Sequence, residues 1–154
     1  RHIGISNVTA EQLAFAQQHC TVVTVQNRFN AGDRNSDAVV AACEAAGIGF
    51  MPWAPILLPD SRVGQVAADI AAARDASVQQ VALQWLLHRS PVMLPIPGTT
   101  NEAHARDNLR AADVVLSHDH LARLDDLINQ RTVHGARYNA ATQTEIDTEE
   151  FAAS

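Results

Sequence analysis

Residues 21–30 are TVVTVQNRFN, a run of β-branched side chains that changes abruptly to polar ones. β-Branched residues favour strands, and a short, uninterrupted apolar run is typical of a strand that is buried on both faces. Polar residues then begin at Gln26, where we expect the strand to end. The stretch therefore predicts a buried strand over 21–25 whose carboxyl end carries amide side chains.

The pattern of a strand followed by a helix extends to both sides of this stretch. Further apolar runs predict strands at 2–5, 48–53 and 92–96. Helical patterns cover the segments between and after them, at about 9–19, 36–47, 63–75, 77–88, 102–112 and 117–127. Four strands separated by helices imply parallel pairing through right-handed crossovers, because a parallel pair needs a long connection.

Several residues mark where these helices begin and end. Thr9 and Ser77 each stand three residues before a glutamine, which is the pattern of a capping box. Ser36 and Ser117 are placed to cap two further helices, and Gly47 is typical of the position just past a helix. These signals predict an α/β domain over 1–130, and the weakly patterned residues 131–154 predict a carboxyl-terminal tail.

Composition bounds the possible functions. The 154 residues carry a formal net charge of −6, which argues against a nucleic-acid partner. No apolar run approaches the roughly 18 residues of a membrane span. Cys20 and Cys43 show no disulfide or metal-binding spacing, so we expect reduced thiols, no metal and a cytoplasmic location. All the cationic side chains besides histidine are arginine, so the chain offers no lysine amine for catalysis.

Neutral polar side chains follow the predicted strands. In a doubly wound sheet and in a β/α barrel alike, ligands bind at the carboxyl ends of the strands. The residues there orient a ligand rather than supply a strong acid or base, although ordinary turn chemistry also favours them; they are Ser6, Asn7, Gln26, Asn27, Arg28, Trp53, Gly98, Thr99 and Thr100.

The turn at 97–101 has two interpretations. A glycine-containing loop that opens a helix points backbone N–H groups and the positive end of the helix dipole at an anion, such as a phosphate. The alternative is an ordinary helix capped by asparagine or threonine. Neither the dinucleotide-binding GxGxxG nor the Walker GxxxxGK[ST] pattern occurs in the chain.

Four motifs, in order and with matching spacing, resemble one family. They are IGISN at 3–7, VQNRFN at 25–30, GFMPWAP at 49–55 and PIPGTT at 95–100. They resemble the carboxyl-terminal half of aldo-keto reductases, from the fifth barrel strand onward. The resemblance implies that the parallel βα units form the second half of a TIM-type (β/α)8 barrel.

The resemblance also implies a nicotinamide cofactor, NADP in the first place and NAD as the alternative. Ser6, Asn7 and Gln26 would bind the nicotinamide carboxamide, and Trp53 would stack on its ring. The adenosine and phosphate end of the cofactor would be bound by Gly98, Thr99, Thr100, His104 and Asn108. Gly98 stands where several relatives carry lysine, and His104 stands where many carry arginine.

No catalytic residue is assigned to this chain. The family's Asp, Tyr, Lys and His come from the first four strands, which the resemblance places outside this sequence, and Tyr138 does not match the catalytic position. The implied function is NADP(H)-dependent reduction of small aldehydes or ketones, with this chain supplying the cofactor-binding half. The alternative is a non-catalytic half-barrel module that binds a nucleotide or a partner.

A half barrel leaves two strand edges open, here at 2–5 and 92–96. Each edge presents unpaired backbone groups, and the inner face of the sheet is uncovered. We therefore expect association with the missing amino-terminal half or with a second copy, in preference to a stable monomer.

Overall fold

A computed structural model of the chain describes residues 1–58 and 61–127. The predicted tail over 131–154, with Tyr138, lies outside the described residues, as does the predicted domain boundary at residue 130. Within them, the chain is an α/β structure of parallel strands with helices between them.

The elements follow one another in the predicted order. The strands are β1 (Ile3–Ser6), β2 (Val22–Gln26) and β3 (Gly49–Phe50). The helices are α1 (Ala10–Gln17), α2 (Asp37–Ala46), α3 (Ser61–Arg74), α4 (Val78–Arg89), α5 (Glu102–Leu109) and α6 (His118–Leu127). A short 3-10 helix, Arg110–Asp113, continues α5, so the helix predicted over 102–112 is divided in two.

The sheet is parallel, in the order β1-β2-β3. Ser6 pairs with Gln26, and Val25 pairs with Phe50. On the far side of β3, Phe50 and Met93 form a single parallel bridge. The strands thus lie side by side in chain order, and their carboxyl ends meet at one edge.

The predicted strands at 48–53 and 92–96 are longer than the observed ones. β3 contains two residues, and the fourth strand is reduced to the bridge at Met93. Phe50 donates its N–H to the Val92 carbonyl and accepts from the Leu94 N–H, both at 2.8 Å. The next residue beyond β3 that would donate in that direction is Pro52, which has no N–H, so the regular pairing stops there.

The predicted helix ends hold with one exception. Both capping boxes form, at Thr9 and at Ser77, and Gly47 ends α2 with a left-handed φ of 65°. Ser36 precedes α2, but its side chain makes no capping hydrogen bond. Its hydroxyl oxygen instead accepts from the side chain of the buried Asn27 at 3.3 Å.

The core lies between the sheet and the helices. Phe29, just beyond β2, contacts Phe50 edge-on at 5.9 Å and stacks on Trp85 of α4 at 5.7 Å, measured between ring centroids. All three side chains are buried. On the opposite face of the sheet a Cβ at Gly4 would collide with the Thr24 side-chain oxygen, so glycine leaves room there for the threonine. No helix in the described part of the chain is long and apolar enough to cross a membrane.

Candidate functional site

The carboxyl ends of the strands bring four of the predicted residues together. We call Ser6, Asn7, Gln26 and Trp53 the strand-end cluster. The Gln26 carbonyl accepts from the Ser6 hydroxyl and from the Asn7 N–H, both at 3.0 Å. The Trp53 indole N–H donates to the Asn7 side-chain oxygen at 3.1 Å. The cluster therefore joins the ends of three neighbouring strand segments.

A buried amide fixes the loop that carries Asn7. Asn27, 1% exposed, accepts from the Val8 N–H at 3.1 Å and donates to the Val8 carbonyl at 2.7 Å. Asn7 itself has a positive φ of 55°, a conformation that asparagine tolerates better than most residues. The turn after β1 is thus held in one conformation by hydrogen bonds from the residue that follows β2.

A second group of predicted residues lines a separate groove of about 200 Å³. We call it the Gly98 groove; its lining residues are Ile56, Gln79, Gly98, Thr99, His104 and Asn108. Four of the predicted adenosine-end residues therefore meet, whereas Thr100 is exposed outside the lining. Ile56 follows Trp53 in the same loop, so this loop takes part in both sites.

The start of α5 is capped by its own chain. The Asn101 side-chain oxygen accepts from the N–H groups of Ala103 at 2.8 Å and His104 at 3.4 Å. The Thr99 hydroxyl accepts from the Asn101 N–H at 3.1 Å. The turn at 97–101 thus has the asparagine cap that was the alternative to an anion site, and a phosphate there would compete with Asn101 for two amides.

Space is open around Gly98. A Cβ at this position would meet no atom within 4 Å. The glycine is therefore not required by close packing, and the groove could hold a larger side chain at this point.

Two residues next to the cluster were predicted to lie at the strand ends but were given no role in cofactor binding. Arg28 forms an isolated backbone bridge with Trp53, and its guanidinium lies over the indole ring. Asn27 is the buried residue whose side-chain amide bonds the N–H and the carbonyl of Val8. Their position directly after β2 was the only signal in the sequence, and it did not say toward which loop each side chain turns.

Two groups with shifted pKa values lie outside the strand-end cluster. Burial raises the pKa of the Cys43 thiol to about 11, and the Thr9 hydroxyl lowers the pKa of the Glu11 carboxyl, but neither group belongs to the strand-end cluster. In residues 1–58 and 61–127, no three His, Cys, Asp or Glu side chains are grouped to hold a metal ion. What the cluster offers is amide and hydroxyl groups around an indole, which can orient a planar polar ligand.

The chain is thus a parallel α/β protein with hydroxyl, amide and indole groups at the carboxyl ends of its strands. The model of the Aldo/keto reductase family matches residues 1–58 and 60–129. The chain therefore belongs to the aldo/keto reductase family, whose members are oxidoreductases that bind nicotinamide cofactors and carbonyl substrates.

Curated relatives agree with this assignment. The chain is 42% identical over 127 residues to an uncharacterized oxidoreductase of Schizosaccharomyces pombe, covering 82% of this chain and 42% of that protein. It is 41% identical over 127 residues to pyridoxine 4-dehydrogenase of Escherichia coli, covering 82% of this chain and 44% of that enzyme.

A solved structure agrees as well. The aldo-keto reductase of Klebsiella pneumoniae in complex with NADPH superposes with a TM-score of 0.74 at 27% identity, over 82% of this chain and 48% of that one. The chain thus spans about half the length of the relatives it matches.

Proposed function

We propose that this chain is the cofactor-binding, second half of an aldo-keto reductase that uses NADP(H) to reduce aldehydes or ketones. The observation that carries the proposal is the strand-end cluster, in which Asn7 holds the Trp53 indole N–H at 3.1 Å. An indole fixed by its edge is suited to stacking on a flat ring. NADPH in the solved relative from Klebsiella pneumoniae supports the choice of cofactor.

The residues divide the cofactor between the two sites. In the strand-end cluster, Ser6, Asn7 and Gln26 would hydrogen-bond the carboxamide, and Trp53 would stack on the ring. In the Gly98 groove, Gly98, Thr99, His104 and Asn108 would hold the adenosine end, and the exposed Thr100, outside the lining, would contact it from the adjoining turn. The nicotinamide supplies the hydride when it is bound, and these residues bind and orient it.

Preference for NADP over NAD rests on His104. It is exposed at the groove, where its imidazole can approach a 2′-phosphate. NAD is the second candidate, because histidine lacks the permanent charge and the two-pronged donor geometry with which arginine binds a phosphate.

Catalysis would need residues from outside this chain. The chain contains no lysine, so a proton-transfer group that depends on a lysine must come from elsewhere. We therefore propose that the chain alone binds the cofactor and does not turn over a carbonyl substrate. A non-catalytic nucleotide-binding module is the alternative, and it shares this binding behaviour. We also propose a cytoplasmic location, in keeping with the two free cysteines.

The exposed sheet edges support association with a missing half or a second copy. Ile3 at one edge is 48% exposed, and Leu94 and Ile96 at the other are 51% and 37% exposed. Sedimentation of the full chain at micromolar concentration should give a species heavier than one copy, or a monomer that binds a dye specific for apolar surface. A monomer with a cooperative melt and no dye binding would contradict the proposal.

The test of cofactor binding is a titration of the full chain with NADPH. Tryptophan fluorescence should be quenched, and Trp53→Ala should weaken binding about fivefold, since the stacking contact that it removes contributes about 1 kcal/mol. Phe15→Ala is the matched control, because Phe15 is an exposed aromatic on α1. Unchanged affinity in Trp53→Ala would refute the assignment.

The test of the missing catalytic residues uses NADPH with a generic aldehyde. We expect no NADPH oxidation by the purified chain alone. Turnover that survives removal of host enzymes would show that the chain carries its own proton donor. Turnover that appears only after addition of an amino-terminal half from a relative would distinguish the reductase from the non-catalytic module.

A further inference from the structure

Arg28 lies directly against the indole of Trp53. The guanidinium carbon is 5.6 Å from the centre of the ring, within the range of a cation–π contact. The backbone explains why the two side chains meet. Trp53 donates its N–H to the Asn27 carbonyl at 3.0 Å, and Phe29 donates to the Trp53 carbonyl at 3.4 Å. Arg28 and Trp53 are therefore neighbours across two paired segments, with side chains on the same side.

Arg28 is itself anchored from the following turn. Its Nε lies 3.0 Å from the carboxylate of Asp33, which is 8% exposed. Asn30 and Asp33 exchange two backbone hydrogen bonds at 3.0 and 3.1 Å, so the turn that carries Asp33 is closed. The Asn35 N–H also donates to the Asp33 carboxylate at 3.3 Å. A continuous series of contacts thus runs from this turn through Asp33 and Arg28 to the indole.

The contact matters because the surrounding residues cover this indole less completely than they cover that of Trp85. Trp53 is only partly buried, whereas Trp85 is 2% exposed and stacked on Phe29. A partly exposed indole whose N–H bonds Asn7 at its edge keeps more freedom to tilt than an indole that is buried on both faces. A cation over the ring removes that freedom, because the attraction depends on the ring face being presented to it.

We propose that Arg28, anchored by Asp33, is a positioning residue that keeps the Trp53 indole in the orientation in which it stacks on nicotinamide. The inference rests on the proposed function, since it assumes that nicotinamide binds at the strand-end cluster. It extends that function by assigning the pre-organisation of the ring to a residue that does not itself contact the cofactor.

The test compares Arg28→Met, which removes the charge, with Arg28→Lys, which retains it. Arg123→Met is the control, because it breaks a surface ion pair with Asp69 at 3.7 Å on a different element. Calorimetry measures the affinity of the full chain for NADPH and for adenosine 2′,5′-bisphosphate, which lacks nicotinamide. NMR measures the hydrogen-exchange rates of the two indole N–H groups in the free chain.

We expect Arg28→Met to weaken NADPH binding about three- to fivefold, the contribution of one cation–π contact, and to leave bisphosphate binding unchanged. The Trp53 indole N–H should exchange faster while that of Trp85 does not change. Arg28→Lys should recover part of both effects. The control should match the wild-type chain.

Each other result contradicts a named part of the account. If the wild-type chain binds NADPH no better than the bisphosphate, or binds neither, the proposed function fails and this inference fails with it. If nicotinamide does contribute in the wild-type chain but Arg28→Met is unchanged, only the inference fails. Equal loss of both ligands, or weaker NADPH binding without faster exchange at Trp53, would also overturn the positioning role.

Discussion

The two tryptophans of this chain make the same two kinds of contact, but one is buried and the other is partly exposed. Trp53 donates its indole N–H to Asn7 and has Arg28 over its ring; Trp85 donates to Asp125 at 2.9 Å and has the Arg34 guanidinium carbon 5.4 Å from its ring centre. Trp85 is buried, whereas Trp53 reaches the surface at the strand ends. The same pair of contacts therefore completes a packed interior in one place and holds a partly exposed ring at the strand ends in the other.

The difference lies in what else touches each ring. Around Trp85, Arg34 bonds both Asp125 at 3.0 Å and Asp37 at 3.2 Å, which ties α2, α4 and α6 together. Around Trp53, the contacts come from loops at the end of the sheet. We infer that the Trp85 contacts contribute mainly to folding and the Trp53 contacts mainly to binding.

The largest expected effect is the difference in the free energy of unfolding that is lost when each tryptophan is replaced by alanine. Trp85→Ala should lower the free energy of unfolding by about 3–5 kcal/mol, because it leaves a cavity in the core. Trp53→Ala should cost about 1 kcal/mol, the loss of one hydrogen bond at a partly exposed side chain. Urea denaturation of both variants measures the difference. Equal losses would mean that Trp53 is a core residue and would remove the contrast.

The next effect concerns Asn27, whose side chain holds the loop that carries Asn7. Asn27→Ala should lower the free energy of unfolding by about 2 kcal/mol, since it leaves both backbone groups of Val8 without their partner. It should also weaken NADPH binding, because the same loop carries Asn7. Asn35→Ala is the control, an exposed asparagine further along the chain. A variant that loses stability but keeps its affinity would show that the loop does not organise the cluster.

A smaller effect tests how well the interior excludes water. Burial raises the pKa of the Cys43 thiol from its ordinary value of 9.0 to about 11. The folded chain therefore favours the protonated thiol; this contribution is complete below pH 9 and is lost as the pH rises toward 11. The loss should be about 1 kcal/mol at pH 10.

The measurement is urea denaturation at pH 8 and pH 10 of the wild-type chain and of Cys43→Ala. The wild-type chain should lose more stability between the two pH values than the variant does. A thiol reagent at pH 8 should also label the partly exposed Cys20 before Cys43. Identical pH dependence in the two proteins would mean that water reaches this part of the core.

Local signals in the sequence predicted the local structure. The Thr9 and Ser77 capping boxes and the left-handed Gly47 were confirmed because each depends on residues a few positions apart. The predicted length of the fourth strand was wrong. The true length depends on which neighbouring strand the Pro52 nitrogen faces, because that nitrogen carries no hydrogen and cannot donate. That direction is a property of the pairing, and no short window of sequence contains it.

The candidate site could likewise be predicted only in part. Its backbone positions follow from the rule that parallel strands end at one edge, so Ser6, Asn7, Gln26 and Trp53 could be predicted. Their partners could not. Asn7 contacts Trp53, and Asn27 contacts Val8 beside Asn7, across 46 and 19 positions of the chain. Such contacts appear only once the strands and helices are packed.

The most direct test of the central claim is an NMR titration of the tryptophan-labelled chain with NADPH. The two indole N–H groups give two signals, and the chain contains two tryptophans. We predict that the Trp53 signal shifts with saturation while the Trp85 signal stays in place. A titration that moves neither signal, or moves both equally, would contradict a nicotinamide site at the strand-end cluster.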